Sequence, residues 1–279
     1  MEERVEGQIV HEIRDLSTLN WTSERGFLAT GGSKCKASAV VDGVRMYYKL
    51  SSFTQEEGIT GHENFNEIVV DRLLDYLQYP HVSYRLIHAV IQMQGEEYDT
   101  YVCESRDMLG AKESKVSLAS YYAAERMVGE DVYDFCRRMG WEEDICRMML
   151  VDFLIFNQKR TGDNIEVIRD AEAGTYRLAP LYDHGTSLAY MCRDDMALHS
   201  YDVIKDRPVE NFVGSTSLRQ NVARMPAKYC KVLPPFDPAL RRRLFEGMED
   251  LVSEKWRTTV WHMLTERRQL YVNLCHPQG

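Results

Sequence analysis

Apolar and polar positions change their period several times along this chain, and each change marks an element. Ser38 to Val41 and Val44 to Leu50 are β-prone runs either side of Asp42-Gly43, a pair whose positive φ angles suit a tight primed turn, so a hairpin is predicted. Just ahead of it, Thr30-Gly31-Gly32-Ser33 reads as a flexible glycine pair entering a strand. Between Glu63 and Gln78, Phe65, Ile68, Val69, Leu73 and Leu77 recur at helical spacing, which predicts an amphipathic helix whose apolar face needs a sheet to cover. Val82 to Met93 and Tyr98 to Cys103, flanking Gln94-Gly95-Glu96, would extend that sheet.

After Glu104 the pattern turns helical. Tyr121 to Met127, Val132 to Met139 and Trp141 to Phe156 read as helices, the last with Ile145, Met148, Met149, Phe153 and Phe156 on one face. A second short hairpin, Ile165 to Ile168 with Tyr176 to Ala179, interrupts them. Asp237-Pro238 is a helix start, with Asp as N-cap and Pro in the first helical position; Leu240, Leu244, Met248 and Leu251 continue it. Trp256 to Leu270 supplies a final helix. Strands, one helix, strands, then helices with an inserted hairpin make an α+β chain of two lobes, residues 1–104 and 105–279, with a cleft between them.

Composition narrows what such a cleft can serve. The 279 residues carry a formal net charge of −9, which argues against a surface built to displace counterions from nucleic acid. No apolar run approaches the ~20 residues of a membrane-spanning helix, and the opening Met-Glu-Glu-Arg has no signal-peptide character. Seven scattered cysteines, none in a Cys-x-x-Cys pair, fit reduced thiols and a cytoplasmic location better than disulfides or a zinc site.

Phosphoryl transfer requires a lysine on a strand, a carboxylate that holds it, and oxygen side chains for Mg²⁺. Lys49 stands on the second strand of the first hairpin; Glu67 lies on the inner side of the following helix, with Glu63 one turn earlier competing for the same role. The polar loop Asn157-Gln-Lys-Arg-Thr-Gly-Asp-Asn164 follows the long apolar helix, and Asp183-His184-Gly185 arrives just beyond the inserted hairpin. Taken singly, each is an ordinary surface lysine, solvated helix carboxylate or turn. A helix, a loop ending in Asn, a hairpin and Asp-x-Gly together return two oxygen ligands to one cleft.

These linked features resemble the HipA-like serine/threonine kinases, whose fold is a divergent two-lobed protein kinase. The likeness runs from about Thr22 to Leu188, and Asn211-Phe212-Val213-Gly214-Ser215 adds to it. It implies that the glycine loop of Thr30, Gly31, Gly32 and Ser33 covers the phosphates of ATP and that Lys49 contacts them. It also implies that Glu67 anchors Lys49, that Cys103 and Glu104 form the hinge that reads adenine, and that Asn164 and Asp183 bind Mg²⁺.

The departure from the family is equally specific. Its catalytic loop reads Asn-x-Asp-Arg-His-x-x-Asn; here Asn157, Arg160 and Asn164 remain, but Lys159 replaces the catalytic Asp and Thr161 the His. An ammonium does not accept the proton of a substrate hydroxyl at neutral pH unless its pKa is strongly depressed. The resemblance therefore implies a protein that binds ATP and Mg²⁺ but transfers phosphate poorly, a pseudokinase acting through a protein partner. The alternatives are an active serine/threonine kinase or autokinase in which Asp163 substitutes as base, another ATP-dependent transferase such as a nucleotidyltransferase, and an interaction domain without nucleotide.

Overall fold

The computed structural model describes residues 7–25, 33–54 and 56–275. Its first part is a sheet of eight strands. The chain forms β1 (Ile9–Asp15), β2 (Thr22–Arg25), β3 (Ser33–Val41), β4 (Val44–Lys49), β5 (Phe53–Thr54) and β6 (Gly58–Ile59), then helix α1 (Glu63–Leu77), then β7 (Tyr84–Met93) and β8 (Glu96–Arg106). The strand order is β1-β7-β8-β4-β3-β5-β6, with β2 on β3; β1 runs parallel to β7 and the other pairs are antiparallel. Asp42 (φ 49°) and Gly43 (φ 77°) form the expected turn, and this two-residue connection sets Val41 opposite Val44.

Helix α1 does more than cover the sheet. Ile68, Val69, Val70, Leu73 and Leu74 are all buried and belong to the same core as the helices that follow. Arg72, 1% exposed, donates from Nη1 to the carbonyls of Arg243, Leu244 and Glu246 at 3.3, 3.0 and 2.8 Å. These are C-terminal carbonyls that a helix cannot satisfy internally. The opposite face of the sheet has its own core, built on Tyr48, Leu50, Ile87, Ile91 and Val102.

The second part begins with β9 (Glu113–Ser117) and continues through α2 (Leu118–Glu125), α3 (Val132–Arg138) and α4 (Glu142–Ile155). Then come β10 (Lys159–Arg160), the hairpin of β11 (Glu166–Asp170) and β12 (Thr175–Leu178), α5 (Asp195–His199), β13 (Glu210–Asn211), α6 (Leu218–Ala223), α7 (Pro238–Phe245) and α8 (Glu254–Cys275). Asp237 caps α7 by accepting the Leu240 N–H at 2.9 Å. That helix ends at Phe245, short of the expected Met248 and Leu251, because the chain turns at Gly247 (φ 74°); Met248 is buried all the same. The sequence pattern missed the parallel strand β1, β9, which pairs with β11, the short strands β2, β5, β6, β10 and β13, and the short helices α5 and α6. Among the described residues no helix is long and apolar enough to cross a membrane.

Candidate active site

The β3–β4 register places Lys36 directly across from Lys49, so both side chains share the face that looks toward α1. Lys49 Nζ donates to Asp183 Oδ1 at 2.9 Å, Glu67 Oε1 at 3.0 Å and the Tyr84 hydroxyl at 3.1 Å. All three donors of the ammonium are engaged. Burial alone would lower its pKa, but Asp183 and Glu67 outweigh burial and hold it well above the usual lysine value. The other Glu67 oxygen accepts the His184 N–H at 2.9 Å, and Asn66 Nδ2 donates to the carbonyls of Gly185 and Ser187 at 2.8 and 3.1 Å. Helix α1 thus grips the Asp183-His184-Gly185 turn from one side. A Cβ on Gly185 would meet Glu63 Cβ at 3.1 Å, which explains the small residue there. Asp183 itself has φ 59°, a left-handed conformation held by these contacts.

His184 points inward. It is 2% exposed, and burial, with Arg160 and Lys49 adding to it, pushes its pKa well below the usual histidine value.

Helix α4 stops at Phe156, whose left-handed φ of 50° releases the loop that follows. Asp152, fully buried, accepts from Arg160 Nη2 at 2.7 Å, from Arg160 Nε at 3.0 and 3.2 Å, and from Asn157 Nδ2 at 2.9 Å. Arg160 Nη1 continues to the carbonyls of Tyr182 at 3.1 Å and Asn164 at 3.4 Å. Arg160 was expected among the catalytic groups; its guanidinium is engaged in a buried ion pair that ties the loop to the residue before Asp183. Asn211-Phe212-Val213-Gly214 supports the same loop from below. The Phe212 N–H donates to the Arg160 carbonyl at 2.9 Å, while Asn211 Oδ1 receives the N–H of Gly214 at 2.7 Å.

Lys159 is half-buried, pairs through its backbone with Glu210, and accepts from Asn164 Nδ2 at 3.4 Å through its carbonyl. Thr161 caps a single 3₁₀ turn, Gly162–Asn164, its Oγ1 accepting the Asn164 N–H at 3.3 Å. That turn presents Asp163 and Asn164.

Between the two parts lies a cavity of about 230 Å³, with Lys36, Tyr47 and Lys49 above, Tyr84 behind, and Asp163, Asn164 and Asp183 below. Lys159 is not part of its wall. Neither are Cys103 and Glu104, the expected hinge: the wall is formed by Ser105, Arg106, Asp107 and Met108. The reason is where their side chains turn. Within β8, Cys103 pairs with Lys49 and Leu86, and Glu104 with Tyr48 and Arg85. Cys103 Sγ turns to the Asn64 carbonyl at 3.2 Å, and Glu104 sits 3.5 Å from both Arg14 and Arg85. The boundary expected after Glu104 falls inside β8. Thr30, Gly31 and Gly32 lie outside the described residues, and Ser33 opens β3 opposite Arg25.

Sequence reasoning missed Lys36, Tyr47 and Tyr84. Counting outward from the Asp42-Gly43 turn would have found Lys36; nothing local marks Tyr84.

No protein-family model and no curated protein matches this chain. The crystal structure of a Helicobacter pylori proinflammatory kinase, CtkA, superposes with a TM-score of 0.66 at 14% sequence identity, covering 94% of this chain and 96% of that one. The fold is kinase-like. HipA of Shewanella oneidensis MR-1, solved with HipB and operator DNA, matches with a TM-score of 0.44 at 12% identity over 93% of this chain and 69% of its own. The two-lobed α+β kinase-like architecture expected from the sequence is the one the chain adopts.

Proposed function

We propose that the cleft binds a nucleoside triphosphate, ATP by the resemblance, together with Mg²⁺, and that phosphoryl transfer from it is weak. One observation carries this reading: Lys49 and Asp183, on the wall of a cavity that Asn164 also lines, form a single ion-paired chain with Glu67. Lys36 stands directly across from Lys49 on that roof and adds a second ammonium to the cavity wall. The oxygen donors of Asn164 and Asp183 suit Mg²⁺, which would bridge and neutralise phosphate oxygens when bound. Because every Lys49 donor is already engaged, phosphate contact requires Lys49 to exchange Asp183 or Tyr84 for the ligand.

Weak transfer follows from Lys159, which supplies no carboxylate at the position where the family has its base. The chain would then act through nucleotide-dependent contact with a protein partner. Seven cysteines outside any disulfide support a reducing, cytoplasmic setting, and the net charge of −9 argues against direct nucleic-acid contact. Isothermal titration with ATP, with and without Mg²⁺, tests the reading: binding that Mg²⁺ strengthens and Asp183→Ala abolishes supports it, and no heat with either sinks it.

A second reading is favoured by one specific placement. Asp163 is exposed on the cavity wall where Lys159 is not, so it can serve as the proton acceptor of an active kinase or autokinase. Transfer of labelled γ-phosphate that is lost in Asp163→Asn and raised by nothing at position 159 would select this reading. A gain in Lys159→Asp, alone or with Thr161→His, selects the first. Mass analysis of the product separates a phosphate from a nucleotidyl adduct.

A further inference from the structure

Helix α1 carries a second cluster beyond the cleft. Asp71 and Asp75 follow Glu67 at successive four-residue steps, so the three carboxylates share one helix face. His81, in the loop after the helix, turns back onto them. Its Nε2 lies 3.3 Å from Asp71 Oδ1 and 3.7 Å from Asp75 Oδ1, and the three ligand atoms fall within 4.8 Å of one another. The His81 side chain is only 5% exposed, and Nε2 is buried with no hydrogen-bond partner.

The orientation of the ring is fixed from behind. His81 Nδ1 sits 2.7 Å from the Tyr79 carbonyl, which only accepts, so Nδ1 carries the proton. In the neutral ring Nε2 is then a lone pair, and it faces two carboxylate oxygens. Three electron-pair donors converge on one point. Asp71 is braced as well: Gln8 Nε2 donates to Oδ2 at 2.6 Å and the Tyr84 N–H to Oδ1 at 3.0 Å. Backing hydrogen bonds of this kind orient metal ligands.

We propose that Asp71, Asp75 and His81 form a divalent transition-metal site, with Zn²⁺ as the ion whose chemistry it fits. One imidazole and two carboxylates suit zinc, whereas Mg²⁺ and Ca²⁺ take all-oxygen sets. Zinc bonds of ~2.1 Å at tetrahedral angles put neighbouring ligand atoms about 3.4 Å apart, close to the 3.3 and 3.7 Å found from His81 Nε2. The 3.3 Å contact is longer than a charge-assisted hydrogen bond, which argues for an ion in preference to a proton. The two aspartates balance the charge of the ion, and Asp75, 13% exposed, opens the site to solvent and a fourth, water ligand. A proton competes for the same place: burial lowers the His81 pKa, but Asp71 and Asp75 raise it above its usual value.

The site lies at a junction. His81 bridges in parallel to Leu181, two residues before Asp183. A bound ion would fasten the far end of α1, the helix of Glu67, to the segment that leads to Asp183. Any effect on the cleft rests on the nucleotide reading above, but metal binding itself does not.

The test is calorimetric titration of ZnCl₂ into the full chain, stripped with EDTA, at pH 7.5, alongside Asp75→Asn and His81→Gln. One ion per chain, a raised melting temperature, and at least tenfold weaker binding in both variants are expected. Absence of zinc binding in the unmodified chain overturns the site, as does binding undiminished in the variants. Zinc-edge X-ray absorption on the unmodified protein decides independently of how the variants fold: nitrogen and oxygen neighbours support the site, and sulfur neighbours place the ion on cysteines and overturn it.

Discussion

Replacing Lys49 by Met removes the only cation that bonds Glu67 and Asp183 together, among the described residues, at the centre of the cleft. The side chains of Glu67 and Asp183 are 2% and 8% exposed, and that of Lys49 is 17% exposed. An exposed pair would contribute ~0–1 kcal/mol. Removing one partner of a buried pair costs about 3–5 kcal/mol, because the remaining charge stays desolvated. The cavity admits some water to Lys49 and Asp183, so the lower end applies, and Lys49→Met should lose about 3 kcal/mol in urea unfolding at pH 7. Adding Glu67→Gln removes one orphaned charge and should restore at least ~1 kcal/mol.

The pH dependence has a defined sign. In the unmodified protein the folded-state pKa of Lys49 is raised well above its ordinary value of 10.5, so its stabilisation is complete at neutral pH and is lost only in strongly alkaline solution. Lys49→Met lacks this stabilisation, so its deficit relative to the unmodified protein should close only in strongly alkaline solution. A deficit below ~1 kcal/mol at pH 7, or the same deficit in the single and double variants, would refute the reasoning.

Asp152→Ala should cost about 3–5 kcal/mol by stranding the buried Arg160 guanidinium, while Lys159→Ala stays within ~0.5 kcal/mol; comparable losses on urea unfolding would contradict the roles assigned to these side chains. Gly162→Ala should destabilise by ~1–3 kcal/mol, since its Cβ would lie 2.7 Å from Ala119 Cβ and 3.0 Å from the Phe212 ring; an unchanged melting temperature would count against that packing. His184 has a depressed folded-state pKa, so the unfolded chain binds a proton that the folded one refuses, and stability falls as pH drops below the ordinary value of 6.5. His184→Gln should remove up to ~1.4 kcal/mol per pH unit of that slope between pH 6.5 and 5.5; parallel stability curves for the two proteins would disprove it.

The parts of this molecule legible in the sequence depend on short-range rules. Asp42-Gly43 dictates a tight turn wherever it sits, and from that turn the strand register, Lys49 and its neighbour Lys36 follow by counting. The spacing of Phe65, Ile68, Val69, Leu73 and Leu77 marks α1, and the apolar run ending at Phe156 marks the start of the loop that carries Asn157, Arg160 and Asn164. Asp237-Pro238 signals its own helix. Each is a local matter of φ angles, capping or period.

Tertiary structure decided the rest, because the deciding partners are distant along the chain. β1 pairs in parallel with β7, Ile9 beside Leu86, and no local pattern announces a partner that far away. Whether Cys103 and Glu104 meet a ligand depends on where their side chains turn, to the Asn64 carbonyl and to Arg14 and Arg85, partners far away in sequence. Arg160 has the residue type of a catalytic group, yet a buried Asp152 eight positions earlier claims it. Tyr84 and His81 carry no signal of their own; they gain meaning only where α1 folds back against them. Turn chemistry and side-chain period are properties of neighbouring residues, whereas the fate of a buried charge is set by whichever opposite charge the fold brings within reach.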